Sequence, residues 1–111
     1  MEAAAGLIKL SPNTGELVGE WRDTLEATRV EALQNLRDEG VSVESWFQVE
    51  IAGELYLLWY MRAESVRTVR EFAGRSKHDV DAYHFEIMSK TTQSQMEAIL
   101  LLDMSTGGSD T

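Results

Sequence analysis

The stretch Ser42–Ala63, SVESWFQVEIAGELYLLWYMRA, decides the fold of this chain. It predicts a β-hairpin whose two arms are both apolar and aromatic, with Ala52-Gly53 as the turn because glycine accepts the positive φ that hairpin loops require. Arms of this composition have to be covered on both faces, which is difficult for a chain of 111 residues by itself. The hairpin therefore indicates a second copy of the chain as its cover, and it indicates no particular reaction.

The length of the hairpin loop determines which side chains share a face of the sheet. A three-residue loop with a bulge at Gly53 brings the most apolar positions together, whereas a two-residue loop would shift the pairing by one and exchange the faces. We therefore predict the three-residue loop. The face expected beneath helices then carries Val43, Phe47, Val49, Leu55, Leu57, Trp59 and Met61. The face expected to be open carries Glu44, Trp46, Gln48, Glu50, Tyr56, Leu58, Tyr60 and Arg62.

The segments on either side of the hairpin predict two further strands and the helices between them. Gly6–Leu10 is a short apolar run that predicts the first strand, and one long amphipathic helix follows it up to the hairpin. Ser65 opens a short helix that ends at Gly74, and Ser76 opens another helical segment. The apolar run Gln95–Met104 predicts the last strand.

The order β-α-β-β-α-(α)-β predicts an α+β fold of the ferredoxin-like type, a four-stranded antiparallel sheet with helices on one face. A sheet face that large and apolar usually marks an interface or a ligand groove. We expect two copies to pack open face against open face as a dimeric α/β barrel. The domain is expected to span residues 1–104, followed by a flexible Gly- and Ser-rich tail at 105–111.

The charge and composition exclude several classes of partner. Ten Lys and Arg face nineteen Asp and Glu, for a net charge of −9, so we expect neither a nucleic acid nor an anionic membrane surface as partner. No apolar stretch reaches the roughly 20 residues of a membrane span. The chain has no cysteine and therefore no disulfide, which is compatible with the expected cytoplasmic location.

Three stretches of the chain resemble an uncharacterised family of small bacterial proteins within the dimeric α/β-barrel superfamily. They are EWRDTLEATRVEALQNLRDEGV at 20–41, LLWYMRAES at 57–65 and SKHDVDAYHFEIM at 76–88. The resemblance covers about residues 7–90, and it implies the fold and a dimer without implying an activity. Other branches of the superfamily include cofactor-independent monooxygenases, sugar mutarotases and haem-degrading enzymes, but the His and Tyr expected of a mutarotase on the first helix are missing here.

Three of the four candidates for catalysis come from the only cluster of histidines and acids in the sequence, His78, Asp79, Asp81 and His84. Asp81 and His84 are three residues apart and therefore neighbours on a helix, where a carboxylate raises the pKa of an imidazole and fixes its tautomer. His78 belongs to the same segment. Glu44 comes from the hairpin, where aromatic neighbours would raise the pKa of its carboxyl group and allow it to transfer protons. In the alternative, structural interpretation, the acids stabilise the N-terminus of a helix through its dipole, and the histidines lie at the surface or at a dimer interface. The spacing matches no zinc motif, and no nucleotide-binding motif occurs, so neither metal nor cofactor is predicted.

The candidates for ligand binding come from the first helix and the hairpin. Arg29 lies beside the apolar stripe of its helix and either anchors an anionic group of a ligand or pairs with a local acid such as Glu26. The hairpin candidates are expected to line the open sheet face, where the alternative is that Glu44 or Glu50 pairs with Arg62. These hairpin candidates are Trp46, Glu50, Tyr60 and Arg62.

Three functions remain open from the sequence. The first is a homodimeric barrel with a structural role or a role in binding a small, partly apolar ligand. The second is a cofactor-independent enzyme of the isomerase or oxygenase type, with a histidine and a carboxylate in the barrel. The third is an interaction module whose open sheet receives a different protein. A cavity of a few hundred Å³ or more with His84 or Glu44 on its wall would favour an enzyme or a ligand-binding protein.

Overall fold

The computed structural model describes residues 1–72 and 78–106, and in that part of the chain a four-stranded antiparallel sheet packs with four helices. The strand order is β2-β3-β1-β4. This arrangement confirms the predicted α+β ferredoxin-like class. The elements are β1 (Glu2–Leu10), α1 (Gly15–Ala27), α2 (Arg29–Asp38), β2 (Val41–Ile51), β3 (Glu54–Ala63), α3 (Val66–Phe72), α4 (Asp79–Thr91) and β4 (Thr92–Glu97).

The hairpin between β2 and β3 has a two-residue loop, so the predicted three-residue loop is wrong. Ile51 pairs with Glu54, and only Ala52 and Gly53 lie between them. Both loop residues have positive φ, 52° and 80°, as a type I′ turn requires. This turn matches the right-handed twist of the two strands, and that match outweighs the strain of a positive φ at an alanine.

The shorter loop exchanges the two faces of β2 relative to the prediction. Trp46 stands opposite Trp59 and Gln48 opposite Leu57, so these β2 side chains lie on the side of the sheet that the helices cover. Phe47, expected beneath the helices, stands opposite Leu58 on the other side. The expectation that the Trp46 side is open is therefore wrong, and the candidate site has to be sought between the sheet and its own helices.

The main core lies between the helix-covered face of the sheet and helices α1 and α4. Its strands contribute side chains from positions that alternate along β1 and β3, as the two-residue period of a strand requires. Helix α1 contributes two residues three positions apart, which lie on one face of the helix. The buried core residues are Ile8, Leu10, Val18, Trp21, Leu57 and Ile87.

The predicted single first helix is broken at Thr28 into α1 and α2. Thr28 has φ −109° and ψ 31°, outside the helical range, and its hydroxyl donates to the carbonyl oxygen of Thr24 at 2.7 Å. A β-branched residue that bonds back to the preceding turn disfavours a straight continuation of the helix. The break separates α2 from α1, and Asn35 of α2 donates a hydrogen bond to Asp81 of α4.

Two strands have ends that differ from the prediction. β1 begins at Glu2, because its alanines pair with the end of β3. The last strand is Thr92–Glu97 and follows α4 directly, whereas the prediction placed it at Gln95–Met104. After the hydrogen bond from the Ala98 amide to the Ala5 carbonyl (2.9 Å), the chain leaves the sheet, and the apolar side chains at 99–104 are exposed. The predicted helix boundaries at Gly74 and Ser76, and the predicted tail beyond Thr106, lie outside the described residues.

The side of the sheet away from the helices is apolar, and we call it the open face. Phe47 is 53% exposed, and Met96 on β4 is 67% exposed. The strand pairings add neighbours on the same face, since alternate residues of each strand point to the same side. They are Leu7, Val49, Tyr56, Leu58 and Tyr60. None of the helices within residues 1–72 and 78–106 is long and apolar enough to span a membrane.

Candidate functional site

A groove of about 590 Å³ lies between the helix-covered face of the sheet and helices α2 and α4. The sheet contributes Trp46 from β2 and Trp59 from β3 to its wall. Helix α2 contributes Asn35, and helix α4 contributes Asp81 and His84. The volume falls within the range of pockets that hold small molecules.

His84 is held in the groove by Trp21. The indole Nε1–H of Trp21 donates to Nδ1 of His84 at 2.8 Å, and an indole N–H can only donate. Nδ1 is therefore unprotonated, and the neutral ring carries its proton on Nε2. Burial lowers the pKa of His84, although the carboxylates of Glu44 and Asp81 act in the opposite direction. His84 is thus a neutral hydrogen-bond donor at neutral pH.

This arrangement corrects two parts of the sequence prediction for His84. A neighbouring carboxylate was expected to raise the pKa of the imidazole, but burial outweighs the carboxylates. Asp81 was expected to fix the tautomer, but Trp21 does so from a different helix. The rings of Trp21 and Trp46 lie 5.7 and 5.4 Å from the imidazole, centroid to centroid, and they exclude water from one side of it.

A cluster of acids and one amide lies where the C-terminal end of α2 meets the first turn of α4. The amide nitrogen Nδ2 of Asn35 donates to Oε1 of Glu39 at 2.9 Å and to Oδ1 of Asp81 at 3.3 Å. Burial, followed by the negative charges of Asp81 and Glu44, raises the pKa of Glu39 to about 7. Glu39 therefore exchanges its proton near neutral pH, which suits a general acid or base.

The sheet side of the groove carries Glu44 beside two tryptophans. The indole Nε1–H of Trp46 donates to Oε1 of Glu44 at 2.8 Å, which is possible because alternate residues of a strand share a face. Trp59 lies over Gly6 of β1, where an added Cβ would stand 2.5 Å from the indole ring. The absence of a side chain at Gly6 thus makes room for Trp59 in the wall.

The structure brings together five of the residues that the sequence singled out. They line the groove and are Arg29, Glu44, Trp46, Asp81 and His84. Arg29 lies at the edge with its guanidinium 3.3 Å from the carboxylate of Glu26, the local pairing that was one of the two alternatives. The cluster of histidine and acids is therefore split, with one histidine in the groove and the other outside it.

The other four candidates lie away from the groove. His78 precedes α4 and has Nε2 2.7 Å from Oδ2 of Asp38, a contact between α4 and the end of α2. Glu50 is exposed near the end of β2. Tyr60 and Arg62 point to the open face, and Arg62 pairs with Asp103 at 2.6 Å. Arg62 does not pair with Glu44 across the hairpin, which was one of the alternatives, because the two side chains lie on opposite sides of the sheet.

Sequence reasoning missed Asn35 and Glu39, and it missed the role of Trp21. Asn35 follows Ala32 of the apolar stripe by three residues, so the two lie on the same face of the helix. A buried asparagine on that face needs polar partners, and Glu39, four residues further on, is the nearest one along the helix. That spacing was a usable signal for the α2 half of the cluster. Nothing in the sequence places α4 against it.

Comparison with known proteins shows which family the chain belongs to. The model of the family of unknown function DUF6176 matches residues 1–106. The chain belongs to this family. No curated protein matches it. Among solved structures, an L-rhamnose mutarotase from Formosa agariphila is similar, with a TM-score of 0.61 and 18% sequence identity over 95% of this chain and 100% of that one. At that identity the similarity concerns the fold.

Proposed function

We propose that this protein is a cofactor-independent isomerase that moves a proton on a small polar molecule bound in the groove. One observation carries the proposal. A carboxyl group whose pKa is raised to about 7, Glu39, and a neutral imidazole that offers an N–H, His84, line the same groove. Pairs of titratable groups with different environments in one pocket are typical of acid–base catalysis.

The chemistry follows from what each group can give and take. At neutral pH Glu39 is close to half protonated, so it can accept a proton from a hydroxyl, or from a carbon next to a carbonyl, and return it. The Nε2–H of His84 can donate to the substrate oxygen that gains negative charge when the proton leaves. The proton that moves to Glu39 goes back to the substrate at another position or on another face, which is an isomerisation without any net change in protons.

Similarity in fold to a sugar mutarotase supports monosaccharides as the first compounds to test. The His and Tyr that a mutarotase-like site would have on its first helix are absent here. Glu39 and His84 come instead from the end of α2 and from α4. We therefore propose the same general class of reaction with a different set of acid and base residues.

The proposal is tested by NMR measurement of anomer interconversion in a panel of reducing sugars that includes L-rhamnose, D-glucose and D-glucosamine. We expect the protein to accelerate interconversion of at least one sugar, and Glu39→Gln to reduce that acceleration by roughly 100-fold or more. Glu20→Gln removes the same charge at an exposed position on α1 and should leave the rate unchanged. No acceleration across the panel, or equal rates for the two variants, would contradict the proposal.

We also propose that the protein is a homodimer in which two copies pack open face against open face. The open face is a contiguous apolar surface of a kind that soluble proteins rarely leave uncovered. The apolar segment 99–104 follows β4 and contains one acid, Asp103, which pairs with Arg62 of the open face. This segment is exposed in a single copy, with Leu101 at 93%, so it adds to the surface that a second copy would cover.

The dimer is tested by the mass in solution of the protein and of two matched variants. Phe47→Asp places a charge on the open face, and Phe85→Asp places one on α4, at nearly equal exposures of 53% and 54%. By sedimentation velocity we expect the wild type and Phe85→Asp to have twice the chain mass of 12.5 kDa and Phe47→Asp to have the chain mass. A monomeric wild type, or dissociation of both variants alike, would contradict the dimer.

A further inference from the structure

The segment 99–104 has the character of a strand but has no neighbouring strand in a single copy. Its apolar side chains are exposed, from 58% at Leu100 to 93% at Leu101. Within residues 1–72 and 78–106, its backbone makes no hydrogen bond to other backbone groups after the Ala98 amide. The apolar run predicts a strand as far as Met104, but the strand that forms ends at Glu97. The segment is therefore short of partners for both its backbone and its side chains.

Strand β2 offers a free edge to which such a segment can bind. It is the outermost strand in the order β2-β3-β1-β4, and within the described part of the chain it pairs with β3 alone. The outward backbone groups of a long edge strand are a template for a further strand. β2 has eleven residues and contains neither lysine nor proline, the residues that commonly protect such an edge.

A second groove, of about 580 Å³, lies between α1 and β2, and we call it the edge groove. Helix α1 contributes two glycines to it, and a Cβ added at Gly19 would meet nothing within 4 Å. Phe47 of the open face also lines it, so the edge groove is continuous with the surface proposed for the dimer. Its apolar lining consists of Val18, Trp21, Leu25, Trp46, Phe47 and Leu57.

In a single copy the segment 99–104 is held away from the edge groove. Asp103 pairs at 2.6 Å with Arg62, which lies on the open face, whereas α1 covers the other face of the sheet. The segment also extends from β4, at the opposite edge of the sheet from β2. A twofold axis parallel to the strands reverses the strand order of the second sheet. It therefore places β4 of one copy over β2 of the other.

We propose that the segment 99–104 of each copy adds as a fifth strand to the free edge of β2 in the other copy, with apolar side chains in the edge groove. The added strand supplies backbone partners to β2, and its apolar side chains leave water. This inference rests on the dimer proposed above and names the surfaces that meet in it. Glu44 and Trp46 line both the edge groove and the groove of His84, so the partner's strand also completes the surroundings of the candidate site.

The test compares two pairs of matched variants by sedimentation velocity over a range of protein concentrations. Leu101→Asp places a charge in the segment, and Val30→Asp places one on α2, at exposures of 93% and 83%. Gly19→Leu fills the edge groove, and Glu20→Leu adds the same side chain at the next, exposed position of α1. We expect the first variant of each pair to raise the dissociation constant of the dimer about tenfold or more, and the second to leave it unchanged. Leucine favours a helix more than glycine does, so Gly19→Leu should not unfold α1.

Amide hydrogen exchange gives a second readout, which distinguishes a paired strand from a segment that is merely covered. A strand at the edge of a sheet directs alternate amides to its neighbour and the others outward. We expect alternate amides of the segment 99–104 to exchange about tenfold or more slowly than in an unfolded chain. Gly19→Leu should abolish this protection and Glu20→Leu should retain it. Exchange of the whole segment at the unfolded rate in the wild type would overturn the inference.

The outcomes for the added strand and for the open-face dimer can be told apart with Met96→Asp. Met96 lies on the open face, 67% exposed, and does not line the edge groove. If Met96→Asp dissociates the dimer while Leu101→Asp and Gly19→Leu do not, the open-face dimer holds and the added strand is overturned. If the reverse is found, the added strand holds and the packing of open face against open face fails. A monomeric wild type overturns both.

Discussion

Replacing Glu39 with glutamine should stabilise the protein above neutral pH, because it removes a carboxylate that the fold holds at a cost. Burial and the nearby carboxylates of Asp81 and Glu44 raise its pKa from 4.5 to about 7. Between these values the folded chain keeps a proton that the unfolded chain has lost, so the free energy of unfolding falls as the pH rises from about 4.5 to about 7. At about 1.36 kcal/mol per pKa unit the full effect is about 3.4 kcal/mol. Glu39 is partly exposed, so solvent screening reduces it to about 1 to 2 kcal/mol.

Urea unfolding of the wild type, Glu39→Gln and Glu20→Gln at about pH 5 and about pH 8 measures this effect. Glu20 is exposed on α1 and serves as the control for the loss of one negative charge. We expect Glu39→Gln to gain about 1 to 2 kcal/mol at the higher pH and less than about 0.5 kcal/mol at the lower pH. The reasoning is refuted if the gain is the same at both pH values, or if the control gains as much at the higher pH.

Three further substitutions test the packing of Gly6 and Gly19 and the hydrogen bond that Trp21 makes to His84. Gly6→Ala should destabilise the protein by about 1 to 3 kcal/mol, because its Cβ would lie 2.5 Å from the ring of Trp59. Gly19→Ala, with open space around the added Cβ, should instead stabilise α1 by about 0.5 to 1 kcal/mol. Urea unfolding measures both variants, and equal changes in their free energies of unfolding would contradict this reasoning. Trp21→Phe removes the hydrogen bond that favours the neutral form of His84, so the pKa of His84 should rise. An NMR titration with the other histidine as reference measures this pKa, and an unchanged value would contradict the role of Trp21.

The order of the elements was predictable from the sequence, because it depends on local signals. Apolar runs, glycines and capping residues indicate where strands and helices lie, and the hairpin Ser42–Ala63 was found in this way. The face assignment failed because it depends on a single residue in the loop, and Ala52 accepts the positive φ that allows a two-residue turn. The first helix was predicted as continuous because the back-bonding of Thr28 is a choice of rotamer that the apolar pattern does not reveal.

The candidate site was predictable only in part, for a related reason. Glu44, Asp81 and His84 stood out because each is an ionisable residue within an apolar or helical pattern. Their meeting with Asn35 depends on how α2 packs against α4, which involves residues 46 positions apart. The pKa of His84 was expected to rise because the sequence shows its acidic neighbour but does not show how deeply the ring is buried. Local neighbours can be inferred from spacing, whereas burial requires the assembled fold.

The central claim is that the groove is lined both by a neutral His84, with its proton on Nε2, and by a Glu39 that titrates near neutrality. Nitrogen-15 NMR of the histidine ring and carbon-13 NMR of the glutamate carboxyl groups, followed from about pH 5 to about pH 8, measure both properties in one sample. We expect the Nε2–H form of His84 to predominate at neutral pH, because burial lowers the pKa of its imidazole, while the Glu39 carboxyl titrates at about 7. An imidazolium at pH 7, a proton on Nδ1, or a Glu39 that titrates near 4.5 would contradict it.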